Sequence, residues 1–261
     1  MADRPTPSLV SDGYDGRFRT VATVLESPEH GPQLCHAVAE SLPPQCGGPD
    51  IIGWDWSAVE HESVSGTTWG DYLVVGTFDG AAFRLTEPAV VDGGTAPAPQ
   101  SEQDQFATPC PEPEGGWAPV DPKLATEAAL QQAIQVAQEA EGYGGLWVDQ
   151  RVSDTEEATN DPRRLVLNVT ITGDAAALEN TIRDVWGGSL CVSAAARDEA
   201  TLLEIQSDIT GEDGVIGSGP DSVTGQLVVQ VFVATAELQR TFDERYGAGT
   251  IRLDGVLIPI D

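Results

Sequence analysis

The sequence predicts an α+β protein of two domains: a small all-β barrel, OB-like in plan, followed by a ferredoxin-like α/β sandwich with extra helices. Residues 17–90 hold short runs rich in Val, Thr and aromatics, split by turn residues, which is the grammar of strands. Residues 91–120 are dense in proline and glycine, the composition of an extended linker. Residues 121–261 alternate helix-period and strand-period segments, the pattern of an α/β layer.

In chain order, residues 1–16 are polar and turn-rich, with Pro5, Pro7, Gly13 and Gly16, and read as a flexible arm. Arg17–Glu26 is rich in Thr and Val and reads as a strand. Leu34–Trp56 is the densest signal in the chain. Cys35 and Cys46 bracket Pro43-Pro44, and Gly47-Gly48, Pro49, Trp54 and Trp56 follow. That mixture suits a stapled, tightly turned loop. Trp69–Phe78 reads as a strand, and Ala81–Thr86 returns after Asp79-Gly80. An Asp-Gly between apolar runs predicts a type I′ hairpin, whose two central residues need positive φ.

In the second half, Asp121-Pro122 reads as a cap and first-turn proline for a helix over Lys123–Glu141. Leu146–Val152 and Leu165–Thr172 read as strands. Asp174 caps Ala175–Trp186, Gly187-Gly188 stops it, and Ser189–Ala194 is a strand. Asp198 opens a helix with Leu202, Leu203 and Ile205 inward. Gly211–Thr224 reads as an acidic loop, Leu227–Val233 as a strand, and Thr235 as the cap of a helix ending at Gly247. Thr250–Ile258 is the last strand. Strand, helix, glycines and strand thus occur twice, over 165–194 and 227–258. Each helix ends in an aromatic, Trp186 or Tyr246. Two such βαβ halves predict one ferredoxin-like sheet.

Charge restricts the partners. Acidic residues number 42 against 13 basic ones, a net charge of -29. Lys123 is the only lysine. Such a field repels nucleic acid and anionic membrane surfaces and favours basic partners or weakly held divalent cations. There is no apolar run of about 18 residues, so no transmembrane helix is expected. The opening Met-Ala-Asp-Arg-Pro-Thr-Pro-Ser lacks the apolar core of a secretory signal. Four cysteines, two of them in Pro/Gly-rich segments, read as disulfides. An exported protein whose leader is absent from this chain is the expectation.

Of the three connectivities open to four cysteines, Cys35–Cys46 with Cys110–Cys191 is the one chosen. The loops would contribute roughly 2–3 and 4–5 kcal/mol on the chain-entropy estimate. The rival reading makes Cys35 a nucleophile and His36 its base, but strand neighbours point to opposite faces. No Cys-x-x-Cys exists, and His30, His36 and His61 have no ligand spacing, so no metal centre or cofactor is expected. Glu60-His61-Glu62 reads as a solvated loop. Asp208-Ile-Thr-Gly-Glu-Asp-Gly loosely resembles a calcium loop but misses its spacing, leaving Asp208, Glu212 and Asp213 as binding candidates. Trp54 and Trp56 are the other candidates, facing a partner or sugar, or closing the barrel's core. Asn168-Val-Thr170 is a formal glycosylation site inside a strand. No dinucleotide, phosphate-loop or nucleophile-elbow motif is present, and no residue is assigned as catalytic.

The block Leu-Cys…Ser-Leu-Pro-Pro-Gln-Cys-Gly-Gly-Pro…Gly-Trp-Asp-Trp, then Trp-Gly-Asp-Tyr, resembles the N-terminal part of exported, often lipid-anchored proteins of unknown function in high-GC actinobacteria. Gly-Leu-Trp-Val-Asp, Val-Trp-Gly-Gly-Ser-Leu-Cys-Val and Asp-Glu-Arg-Tyr-Gly-Ala-Gly-Thr-Ile-Arg-Leu look like the second half of the same family. The resemblance spans about residues 17–258 and implies an envelope location and no activity. The functional expectation is a non-enzymatic acidic envelope or secreted protein that binds a partner or cation. Its rivals are a structural subunit of a surface assembly and an enzyme using carboxylates such as Asp55, Asp71 or Asp149.

Overall fold

A computed structural model describes residues 9–35, 38–39, 41–91, 106–150 and 160–260. The first half holds β1 (Phe18–Ser27), β2 (His30–Cys35), β3 (Val38–Ala39), β4 (Gln45–Cys46), β5 (Asp50–Ile52), β6 (Glu62–Val64), β7 (Thr67–Phe78), β8 (Ala82–Leu85) and β9 (Val90–Val91). The second holds α1 (Glu127–Gln138), β10 (Tyr143–Asp149), β11 (Val166–Ile171), α2 (Ala175–Arg183) and β12 (Ser189–Ala194). Then come α3 (Glu199–Ile209), β13 (Val215–Asp221), β14 (Gln226–Val231), α4 (Ala236–Tyr246), β15 (Ile251–Gly255) and β16 (Ile258–Pro259). The protein is therefore mixed α and β, with sheets predominant.

Two compact units emerge. One contains residues 99–229 and 243–252, the other 7–98, 230–242 and 253–261. The expected domains, 17–90 and 121–261, assign 230–242 and 253–261 differently. The physical reason lies in long-range pairing. β16 pairs antiparallel with β1, and Val10 bridges Thr235, with Val10 N donating to Ala234 O at 2.9 Å. Val10 is buried and Tyr14 half-buried, so the described end of the expected arm, residues 9–16, is anchored at those two positions. Residues 1–8, His36 and linker residues 92–105 lie outside the described residues.

In the unit of residues 7–98, β1 pairs antiparallel with β2 and, over Phe18–Glu26, with β7. β2 pairs with β5, β5 runs parallel to β8, and β8 pairs antiparallel with β7. The pairings therefore lead from β1 through β2, β5, β8 and β7 back to β1. Alternate residues of these strands face one core of Phe18, Val24, Leu34, Ile51, Tyr72, Val74 and Phe83, as period-2 patterning requires. The Asp79-Gly80 turn is not type I′. Only Gly80 has positive φ, because Asp79 Oδ1 accepts from Ala81 N at 2.9 Å and Ala82 N at 2.8 Å. Positive φ at both positions occurs instead at Ser65-Gly66, 53° and 84°, between the paired Val64 and Thr67.

The other unit is built on the three-stranded sheet β10-β11-β12. β11 runs antiparallel to β10 and parallel to β12. Leu167, Val169, Ile171 and Leu190 face α1 and α2, whose Ala133, Ala137, Ile182 and the nearby Trp186 are fully buried. β13, β14 and β15 form a separate sheet. The expectation of one ferredoxin-like sheet is therefore corrected. In that fold the parallel strands of each half leave room for a strand of the other half. Here β11 pairs directly with β12, from Val166↔Ser189 to Ile171↔Ala194, so nothing can interleave. The full repeat is also longer than expected: helix, strand, strand, helix, strand, twice over.

Side-chain caps explain the helix starts. Asp174 Oδ1 accepts from Ala176 N and Ala177 N, Asp198 Oδ1 from Thr201 N, and Thr235 Oγ1 from Leu238 N. α1 departs from expectation, because Thr126 rather than Asp121 caps it. Asp121 instead closes its own turn, its carboxylate accepting from Lys123 N at 2.9 Å. On α3, Leu202 and Ile209 are buried and Leu203 is 46% exposed, since one residue turns the side chain by about 100°. The expected loop 211–224 contains β13.

Candidate functional site

The stretch Leu34–Trp56 is locally closed, as its composition implied. Cys35 and Cys46 form a disulfide, and the β3–β4 pairing lies within the loop it closes. Leu34 N donates to Pro49 O at 2.9 Å. Gly48 is required there because a Cβ would stand 2.0 Å from Leu34 O, far inside contact distance. At the tip, Ser41 Oγ donates to Pro43 O, and Leu42 is 78% exposed. The chain then turns at Gly53, with φ of 91°. Asp55 caps the short 3-10 turn Trp56–Ala58 by accepting from Ser57 N and Ser57 Oγ at 2.9 and 2.7 Å. Those two bonds, the hydroxyl's first, hold its carboxyl below the usual carboxylate range.

Trp54 and Trp56 come together but do not form a flat platform. Their ring centroids lie 5.2 Å apart, edge to face, and Trp54 meets Tyr72 likewise at 4.8 Å. Such T-shaped contacts place positive ring edges on negative faces. Trp56 Nε1 donates to Glu26 Oε2 at 2.5 Å, and Tyr72 OH donates to Glu60 O at 2.6 Å. Trp54 Nε1 has no hydrogen-bond partner among the described residues. Both indoles are half-buried and pack on the unit's core. His61 lies edge-on to Trp56 at 5.4 Å. Burial, then the charge of Asp71, pushes the Tyr72 phenol up.

The acidic segment has a different environment. Asp208 accepts from Tyr246 OH at 2.6 Å and Arg245 Nη2 at 2.7 Å, while Glu212 accepts from Arg245 Nη1 at 2.5 Å. The bond from Tyr246, then that from Arg245, holds the Asp208 carboxyl low. Tyr246 is pushed up to about 12 by desolvation first and by the Asp208 bond second. Asp213 is exposed. Two of the three candidate carboxylates are thus engaged with an arginine and a phenol of the same unit. That partner sits 33 residues or more away in sequence, so only the scarcity of cations hinted that each would be placed against carboxylates.

The remaining carboxylates are dispersed. Asp71 Oδ1 accepts from Thr23 Oγ1 at 2.5 Å. Asp149, 3% exposed, accepts from Thr108 N and Thr108 Oγ1 at 2.8 and 2.9 Å. Among the described residues, no three His, Cys, Asp or Glu side chains gather as a metal site would require. Cys110 and Cys191 are disulfide-bonded, which ties the tail of the expected linker to β12. Both disulfides suit an oxidising compartment, and no described helix is long and apolar enough to cross a membrane. Asn168 is completely buried on β11, out of reach of glycosylation. No family model matches the chain, and no curated protein matches its sequence.

Proposed function

We propose that the chain is a non-enzymatic, acidic, exported protein that binds a basic protein partner through the stapled corner at Leu34–Trp56. The observation carrying this reading is Leu42, 78% exposed at the tip of a loop closed by Cys35–Cys46. A large apolar side chain held out on a cross-linked loop loses little entropy on docking. The half-buried Trp54 and Trp56 lie on the same stretch, and aromatics are enriched at binding hot spots. A net charge of -29 favours encounter with a basic surface. The enzyme reading loses support because Asp55, Asp71 and Asp149 are engaged at separate places, with Ser57, Thr23 and Thr108 in turn.

An OB-like barrel is our reading of the unit that carries this corner. Its support is the circuit of pairings from β1 to β2, β5, β8, β7 and back to β1, with β5 and β8 parallel. Barrels of that plan present ligands to strand faces and adjoining loops. The envelope location rests on the resemblance of the Pro-Pro-Gln-Cys block and is suited by the two disulfides.

Capture from envelope extract with immobilised full-length chain tests the reading. The wild type should retain a basic protein whose binding weakens with salt, and Leu42→Asp should weaken it about tenfold. Equal capture by the wild type and Leu42→Asp would remove the stapled corner from the function.

A further inference from the structure

The segment Phe106–Pro111 crosses the second face of the β10-β11-β12 sheet. Trp147 lies opposite Asn168, and Asn168 opposite Cys191, so the three side chains form one row on one face. The alternate residues Leu167, Val169 and Leu190 take the apolar face against the helices. On the row's own face, Trp147 Nε1 donates to Phe106 O at 3.2 Å, Asp149 accepts from Thr108 N and Oγ1, and Cys191 is bonded to Cys110. These anchors are polar or covalent. Phe106 is 46% exposed and belongs to no core. Beneath, Asn168 is fully buried; its Nδ2 donates to Val166 O, while its Oδ1 has no partner among the described residues. A buried amide oxygen left in this way favours any state that lets it meet water or a donor.

The geometry points to a redox-controlled strap: cleavage of Cys110–Cys191 releases Phe106–Pro111 and uncovers the polar row Trp147–Asn168–Cys191. Asp121 N donates to Gly187 O at 3.0 Å further along the chain, so loss of the disulfide leaves the segment itself held by the hydrogen bonds at Trp147 and Asp149. Cys110 is partly exposed and Cys191 is buried. A dithiol reductant accordingly attacks Cys110 Sγ and expels Cys191 as a thiolate. Its second thiol then attacks the mixed disulfide, expelling Cys110. Two electrons pass to the protein, the two cysteine sulfurs take up the two protons, and the reductant leaves as its own disulfide. Cys35–Cys46 closes a loop of 11 residues on its own hairpin, and its cleavage frees no strap.

Hydrogen exchange on the full chain tests this, with the Cys35→Ser/Cys46→Ser variant so that only one disulfide responds to the dithiol. On reduction, exchange at the Thr108 amide should accelerate at least about tenfold more than exchange at the amides of Val166–Ile171, which speed up only by the fall in global stability. Acrylamide quenching of Trp147 fluorescence should rise in step, and reoxidation should restore both. The Cys110→Ser/Cys191→Ser variant, with Cys35–Cys46 intact, should match the reduced state without any reductant. Unchanged protection at Thr108 would overturn the proposal by showing that hydrogen bonds alone hold the strap. Equal acceleration at Thr108 and throughout β11, or failure of the double variant to fold, would overturn it by showing that the bond is a staple of the whole unit.

Discussion

The two helix–strand–strand–helix–strand halves of residues 121–261 share an element order and differ in burial. β11, Val-Leu-Asn-Val-Thr-Ile, is buried at all six positions, whereas β14, Gln-Leu-Val-Val-Gln-Val, alternates buried and half-buried. Each strand carries two polar residues of six, Asn168 and Thr170 against Gln226 and Gln230, so composition alone does not explain the difference. β11 has α1 and α2 on one face and the Phe106–Pro111 strap over the other, with α3 against β10. β14 shows the alternation of a strand with one covered face. Cover, rather than the strand's own composition, decided whether Asn168 and Thr170 went inside.

The aromatics Trp186, three residues past α2, and Tyr246, the last residue of α4, give the largest test. Trp186 is completely buried and donates from Nε1 to Ser189 O at 3.1 Å. Trp186→Ala should cost about 3–5 kcal/mol in denaturant unfolding. Tyr246 ends the half-exposed counterpart, and Tyr246→Ala should cost about 1 kcal/mol or less. Equal costs would break the distinction between the halves. The cross-links come next: removing Cys110–Cys191 should lower stability by roughly 4–5 kcal/mol and removing Cys35–Cys46 by roughly 2–3 kcal/mol. Reversal of that order in urea midpoints would show that loop length does not govern these bonds.

The strands themselves give a smaller test. Val169→Thr places a hydroxyl in a closed apolar core and should cost about 1–3 kcal/mol, whereas Val228→Thr, at a half-buried position, should change stability by about 0.5 kcal/mol or less. The smallest effect concerns two phenols. Tyr143 is pushed up to about 12 by burial first and the charge of Glu199 second, and Tyr246 to about 12 by desolvation and then the Asp208 bond. A raised native value means that the folded chain holds more phenolic protons than the unfolded chain between pH 10 and about 12. The stability these phenols contribute is complete below pH 10 and is lost as pH rises towards 12. Asp208→Asn should lower the midpoint of Tyr246 and leave Tyr143 unmoved in an ultraviolet titration. A shift in both, or in neither, would show that the Asp208 bond does not distinguish them.

Much of the local structure was legible. Asp174, Asp198 and Thr235 cap helices as expected, because a cap needs only its own side chain and the next few amides. Ser189–Ala194 is a strand with the expected bounds. The turn chemistry was less legible: Ser65-Gly66 holds the two positive φ values that Asp79-Gly80 was expected to hold. A Ser-Gly pair carries a weaker turn signal than Asp-Gly, and the Asp79 carboxylate had a competing use in binding two amides. At the candidate site, the Cys35–Cys46 bond and the proximity of Trp54 and Trp56 were suggested by closeness in sequence, whereas Cys110–Cys191 was a choice among three connectivities. The acceptors Glu26 and Glu60 did not, since strand pairing brings them there from elsewhere in the chain.

The amino-acid sequence by itself determined the acidic charge, the strand and helix periods, most caps and the closure of the Cys35–Cys46 corner. These depend on composition or on residues within a few positions of one another. Only the tertiary structure decided that two separate sheets replace one, that Val10 pairs beside Thr235, that Arg245 engages Asp208 and Glu212, and that a proline-rich tail is anchored at Trp147, Asp149 and Cys191. Each is a choice among distant partners, and sequence spacing carries no information about which remote surface will close over a given face.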